Sequence, residues 1–115
     1  MRILAVTFSV ALAALGTTQT LAAETDALKP GKELAFSPDK GNCLACHVMD
    51  DAETGGDLGP PLLYMSARYP DLNSLIELIA DARRNNPDSA MPPYGTHRIL
   101  DSREIKAIAE YVHSL

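Results

Sequence analysis

The 115-residue chain has no tryptophan, two phenylalanines, four tyrosines and two cysteines. So few large aromatics leave little with which to fill a core. A domain this small commonly needs a staple or a bound group to be stable. Basic side chains are also scarce, ten Lys/Arg against fifteen Asp/Glu for a net charge of −5. Nucleic acid is therefore not an expected partner, because phosphate neutralisation needs clustered cations. The longest mostly apolar run, Ile3 to Leu15, is thirteen residues, short of the roughly 18 that a membrane-spanning helix needs. Repeats, low-complexity tracts and the alternation expected of strands are all missing.

What is present begins at the amino terminus. Met1-Arg2 is a short basic region, the apolar run follows, and Leu21-Ala22-Ala23 precedes Glu24. That order reads as a secretory signal peptide over 1–23, cut after Ala22 or Ala23. With no cysteine at the expected cut, no lipid anchor is expected there. The remaining 92 residues, 24–115, form one small domain with nine Lys/Arg and fifteen Asp/Glu.

Cys43-Leu44-Ala45-Cys46-His47 is the chemically richest stretch. Two thiols three residues apart, followed at once by an imidazole, match the attachment site of a c-type haem. Cys43 and Cys46 would form thioethers to the haem vinyl groups, and His47 would bind the iron through a neutral imidazole nitrogen. Both cysteines of the chain are then used by one haem c. A thioredoxin-like dithiol or half of a zinc site are the competing readings. The dithiol does not require the histidine and lacks its βαβ context; zinc needs ligands beyond those that His97 and His113 obviously supply. A covalently held porphyrin would also provide the missing apolar interior.

Helical segments separated by two long loops make up the rest. Glu24 to Lys29 reads as a frayed leader, and Pro30 opens a short helix carrying Leu34, Ala35 and Phe36. Val48 to Tyr69 holds Gly55-Gly56 and Leu58-Gly59-Pro60-Pro61-Leu62, which is turn chemistry in a loop long enough to be functional. Leu72, Leu75, Ile76, Ile79 and Ala82 lie on one face of a helix capped by Asp71 and closed by Arg83-Arg84 before Asn85-Asn86-Pro87. Asp101 and Glu104 form a capping-box pair ahead of the stripe Ile105, Ile108, Ala109 and Val112. The fold class is small all-α.

A sixth iron ligand would come from a methionine or histidine in the loops. Met49 lies two residues after His47, and extended chain spans at most roughly 3.6 Å per residue, so it stays on the histidine side. Met65 follows the Gly-Pro turn. Met91 sits in the second loop, where Pro92-Pro93 stiffen it and lower the ordering cost of ligation. Met91 is the favoured ligand, with Met49 and Met65 read as core filling and His97 as the rival. His113 is expected to be solvated. A carbonyl of Leu58-Gly59-Pro60 is placed to orient His47. Arg68, Tyr64, Tyr69 and Tyr94 are candidates for the propionates or for ordinary packing.

Asp39 to His47, Gly59-Pro60, Arg68-Tyr69-Pro70-Asp71, Asn86-Pro87, Met91-Pro92-Pro93-Tyr94-Gly95 and the Ile99-Leu100 to Ile105 segment together resemble SoxX. That family is the small monohaem cytochrome c subunit of the SoxXA complex of bacterial sulfur oxidation. The resemblance runs from about Gly31 to Leu115. It implies a class I-like cytochrome c fold with His47/Met91 ligation, a periplasmic location and a heterodimer with a SoxA-type subunit. It further implies service as the electron-transfer subunit of an L-cysteine S-thiosulfotransferase, which couples thiosulfate oxidatively to a carrier-protein cysteine. The partner would hold the reactive haem, and a small soluble cytochrome c would take the electrons. Two other readings stand beside it: a free-standing electron carrier without an enzyme partner, and an enzyme acting at its own open iron.

Overall fold

The computed structural model describes residues 19–115 apart from 51 and 53. Residues 1–18 of the expected export segment therefore lie outside the described residues, and Gln19 to Ala23 open the first helix. Among the described residues four α-helices follow in chain order: α1 (Gln19–Phe36), α2 (Met65–Arg68), α3 (Leu72–Ala80) and α4 (Ser102–His113), together with two 3-10 turns, Cys43–Ala45 and Ala82–Arg84. Among the described residues there is no strand, only one isolated parallel bridge between Met49 and Leu62. The described residues thus form the small all-α fold that the sequence leads one to expect. No described helix is long and apolar enough to cross a membrane.

The leader does not fray. Residues 24–29 belong to α1, which runs straight through Pro30. Ala27 and Leu28 are good helix formers, and Leu28 packs against the core. A single proline removes one amide, and at an exposed position this did not stop the helix.

α1 crosses α4 at small residues. A Cβ on Gly31 would stand 2.7 Å from the Ala107 carbonyl carbon and 2.9 Å from the Tyr111 Cβ. The two backbones touch there, and Ala35 and Ala109 are fully buried beside them. We expect Gly31→Ala to lower stability by about 2 kcal/mol, despite the roughly 1 kcal/mol that alanine gains in helix propensity. Thermal unfolding of the haem-loaded protein measures this; an unchanged or raised midpoint would show that the crossing tolerates separation.

α4 begins as its sequence requires. The Asp101 carboxylate accepts the amides of Arg103 (2.8 Å) and Glu104 (2.9 Å), while Glu104 accepts the Asp101 amide (2.9 Å). Glu104 also pairs with Lys40 at 2.6 Å, tying α4 to the segment before Cys43. The expected stripe is buried, and Tyr111 joins it, its ring 6.2 Å from that of Phe36.

α3 is shorter than its apolar periodicity suggests. Asp71 caps it as expected, accepting the Asn73 amide at 3.1 Å. It ends at Ala80, whose carbonyl accepts the Gly95 amide (2.9 Å) and the Thr96 amide (3.4 Å) from the second loop. Asp81 then turns extended and uses its carboxylate on Arg83 and Thr96. Those hydrogen bonds hold the Asp81 carboxyl well below its ordinary range, the Arg83 guanidinium contributing most. Ala82 stays buried without being in the helix. His113 also departs from expectation. It is half-buried, and its Nε2 lies 2.9 Å from the Tyr69 carbonyl oxygen, so the last turn of α4 is fastened rather than solvated.

Candidate functional site

Asn42 enters the Cys43 segment in the left-handed region (φ 49°), which asparagine tolerates better than most residues. The 3-10 turn that follows is closed by the amides of Cys46 (3.2 Å) and His47 (2.9 Å), both donating to the Cys43 carbonyl. One turn therefore brings Cys43, Cys46 and His47 to the wall of a single cavity of about 500 Å³. Cys43 and Cys46 are not joined in a disulfide. Burial pushes the Cys43 thiol up to about 11, and the neighbouring Cys46 adds to the rise. A reactive dithiol needs the opposite shift at its nucleophilic thiol, and Cys43 does not show it.

The imidazole is held from two sides. His47 Nδ1 lies 2.7 Å from the Pro60 carbonyl oxygen, which can only accept, so Nδ1 carries the proton and Nε2 keeps its lone pair for a metal. The ring rests on Gly59, where a Cβ would stand 2.6 Å from Nδ1. The Gly59 amide in turn donates to the Cys46 carbonyl at 2.8 Å. The first loop thus folds back on the motif and fixes the ring orientation. The sequence placed this carbonyl within Leu58-Gly59-Pro60; the structure selects Pro60.

Met91 and Met65 line the same cavity, whereas Met49 is fully buried away from it. Met65 is 2 % exposed, and its sulfur accepts from Arg68 Nη1 at 3.2 Å. Met91 is half-buried, with its amide donating to the Ser89 hydroxyl at 3.2 Å. His97 is exposed and does not line the cavity. Among the described residues no group of three or more His, Cys, Asp or Glu is arranged for a metal ion. Zinc would find too few ligands.

Much of the remaining wall is apolar, with Leu75, Ile79, Ile108 and Val112 facing the space as well as one another. Sequence periodicity reads these as core, and nothing in it shows that they also bound a cavity. Arg68, Tyr69 and Tyr94 contribute to the lining, but Tyr64 is 80 % exposed and does not. Arg68 also donates to the Pro61 carbonyl at 2.9 Å. Tyr94 is buried and its hydroxyl donates to the Gly41 carbonyl oxygen. Burial, with Cys43 and Cys46 nearby, pushes its phenol up to about 12.

Two thiols, an oriented imidazole, a thioether and flat apolar walls fit a covalently attached haem. The cytochrome c family profile matches residues 28–115. The chain belongs to the cytochrome c family. This cytochrome is also similar to an uncharacterized lipoprotein of Aquifex aeolicus (strain VF5). The two are 35 % identical over 75 residues, covering 64 % of this chain and 36 % of that protein. The cytochrome thus matches about a third of its relative's length. Its cofactor is a covalent haem c, whose iron supplies one-electron chemistry when bound. The chain's own residues contribute a largely apolar pocket and an imidazole fixed in orientation.

Proposed function

We propose that this cytochrome is the electron-transfer subunit of a SoxXA-type complex, with Cys43 and Cys46 as thioether donors and His47 and Met91 as axial ligands. The His47–Pro60 lock carries the reading. An imidazole fixed in tautomer and plane, in a pocket that also offers a thioether, suits iron that gains and loses electrons without exchanging ligands. Coupling thiosulfate to a cysteine thiol forms one sulfur–sulfur bond and releases two electrons and the thiol proton. This chain has no thiol left for that bond once its two cysteines hold haem, so its share is to receive the electrons one at a time. A SoxA-type partner would hold the reacting sulfur, and a small soluble cytochrome c would take the electrons onward.

A partner also accounts for apolar surface around the first loop. Leu63 (47 % exposed) and Tyr64 (80 %) are large side chains left in water, and Tyr64 holds a left-handed backbone (φ 54°) that costs of order 1–3 kcal/mol. Between Lys40 and Arg68 the sequence has no Lys or Arg, so a complementary surface would be apolar with a basic rim. The export signal expected from the sequence and the similarity to a protein described as a lipoprotein support placing the cytochrome in the periplasm.

Affinity purification of the tagged, exported cytochrome from its native host tests this. We expect a second haem-bearing subunit at one-to-one stoichiometry, with thiosulfate-dependent reduction of the complex when the carrier protein is added. Recovery as a lone monomer from a host grown on thiosulfate would favour the free-standing carrier instead.

A further inference from the structure

We propose that Tyr94 is a positioning residue, whose hydroxyl clamps the Met91 loop onto the segment that carries Cys43 and so holds the methionine sulfur in place. Gly41, which accepts the hydroxyl's hydrogen bond, is buried two residues before Cys43. Its backbone lies against the attachment site, since a Cβ there would stand 3.1 Å from Cys43 Sγ. The Gly41 amide donates to the Leu34 carbonyl at 3.0 Å, so this acceptor is itself anchored to α1.

The other end of the clamp is equally fixed. The Tyr94 carbonyl accepts the amides of Ile99 (2.9 Å) and Leu100 (3.1 Å), which closes the second loop behind it. The next residue, Gly95, donates to Ala80 at the end of α3 at 2.9 Å. Only Pro92 and Pro93 separate Tyr94 from Met91, and their fixed φ leaves little slack between phenol and thioether. A residue with the same ring and no hydroxyl would pack alike but would leave the buried Gly41 carbonyl without its donor, and the loop would open more readily.

The inference rests on Met91 being the iron ligand. Its test is competition by imidazole for the ferric, haem-loaded cytochrome, followed through the near-infrared sulfur-to-iron charge-transfer band. In Tyr94→Phe we expect that band to persist at neutral pH and the imidazole affinity to rise about tenfold, the upper end of what one lost hydrogen bond yields. In a Met91→Ala background, where no sulfur has to be displaced, adding Tyr94→Phe should change imidazole affinity less than about twofold. A merely structural role would lower the unfolding midpoint of Tyr94→Phe and leave imidazole affinity as in the parent. That result, with the band present, overturns the clamp alone. A parent protein lacking the band, or a Met91→Ala protein retaining it, overturns the ligand assignment and the clamp with it.

Discussion

Replacing Cys43 and Cys46 together by alanine is expected to give a colourless chain that does not fold cooperatively. The reason lies in the cavity. Leu75, Ile79, Ile108 and Val112 are packed on one side and face about 500 Å³ of open space on the other. Apolar surface that the porphyrin would cover is left wet at roughly 25 cal/mol per Å², which matters because an ordinary domain is stable by only about 5–15 kcal/mol. With no tryptophan and two phenylalanines, the chain has no large side chain in reserve to collapse into the gap. The same outcome is expected for the unaltered chain made without haem attachment, which controls for the substitutions themselves. Far-ultraviolet circular dichroism and a thermal scan measure both. A native helical spectrum with a cooperative melt in the absence of haem would show that the helices support one another without the porphyrin.

How far the sequence reveals this molecule depends on how local each determinant is. That Cys43, Cys46 and His47 share one turn was legible because they lie within five consecutive residues, and the structure closes that turn with two amides on the Cys43 carbonyl. The start of α4 was legible because a capping box needs only Asp101 and Glu104, three residues apart. The end of α3 was not, because the amides that take the Ala80 carbonyl come from Gly95 and Thr96 in the second loop. His113 was misread for the same reason. Its partner, the Tyr69 carbonyl, is 44 residues away in the chain. The apolar stripes were found, yet periodicity reports only distance from water and cannot tell a packed neighbour from a cofactor. Gly59 looked like a turn residue, and its actual use is to let the His47 ring lie flat against the backbone. Tyr94 carried no local signal for its bond to Gly41, 53 positions earlier.

Met91→Ala is expected to leave the haem attached and to open the iron to outside ligands. The near-infrared sulfur-to-iron band should vanish, the reduction potential should fall because thioether ligation favours ferrous iron, and imidazole should bind roughly a hundredfold more tightly. That factor corresponds to about 3 kcal/mol for the displaced sulfur. The alternatives are distinguishable in the same experiment. Met65 is the one other methionine in the cavity wall, but its sulfur already accepts from Arg68 and its side chain is buried. If the band survived Met91→Ala and disappeared in Met65→Leu, the wrong methionine would have been chosen. His97 lies six residues beyond Met91 in the same loop, exposed, with its amide donating to the Pro93 carbonyl at 2.9 Å. Were it to move in once the thioether is gone, Met91→Ala would show a bis-imidazole spectrum and refuse added imidazole, and Met91→Ala/His97→Ala would accept it. The loop's anchors at Ala80 and Gly41 argue against so large a rearrangement, because Gly95 and Tyr94 would each have to give up a partner and Leu100 a buried seat. A vacant, ligand-accepting iron is therefore the expected state of Met91→Ala, and with it the loss of the closed coordination proposed for this cytochrome.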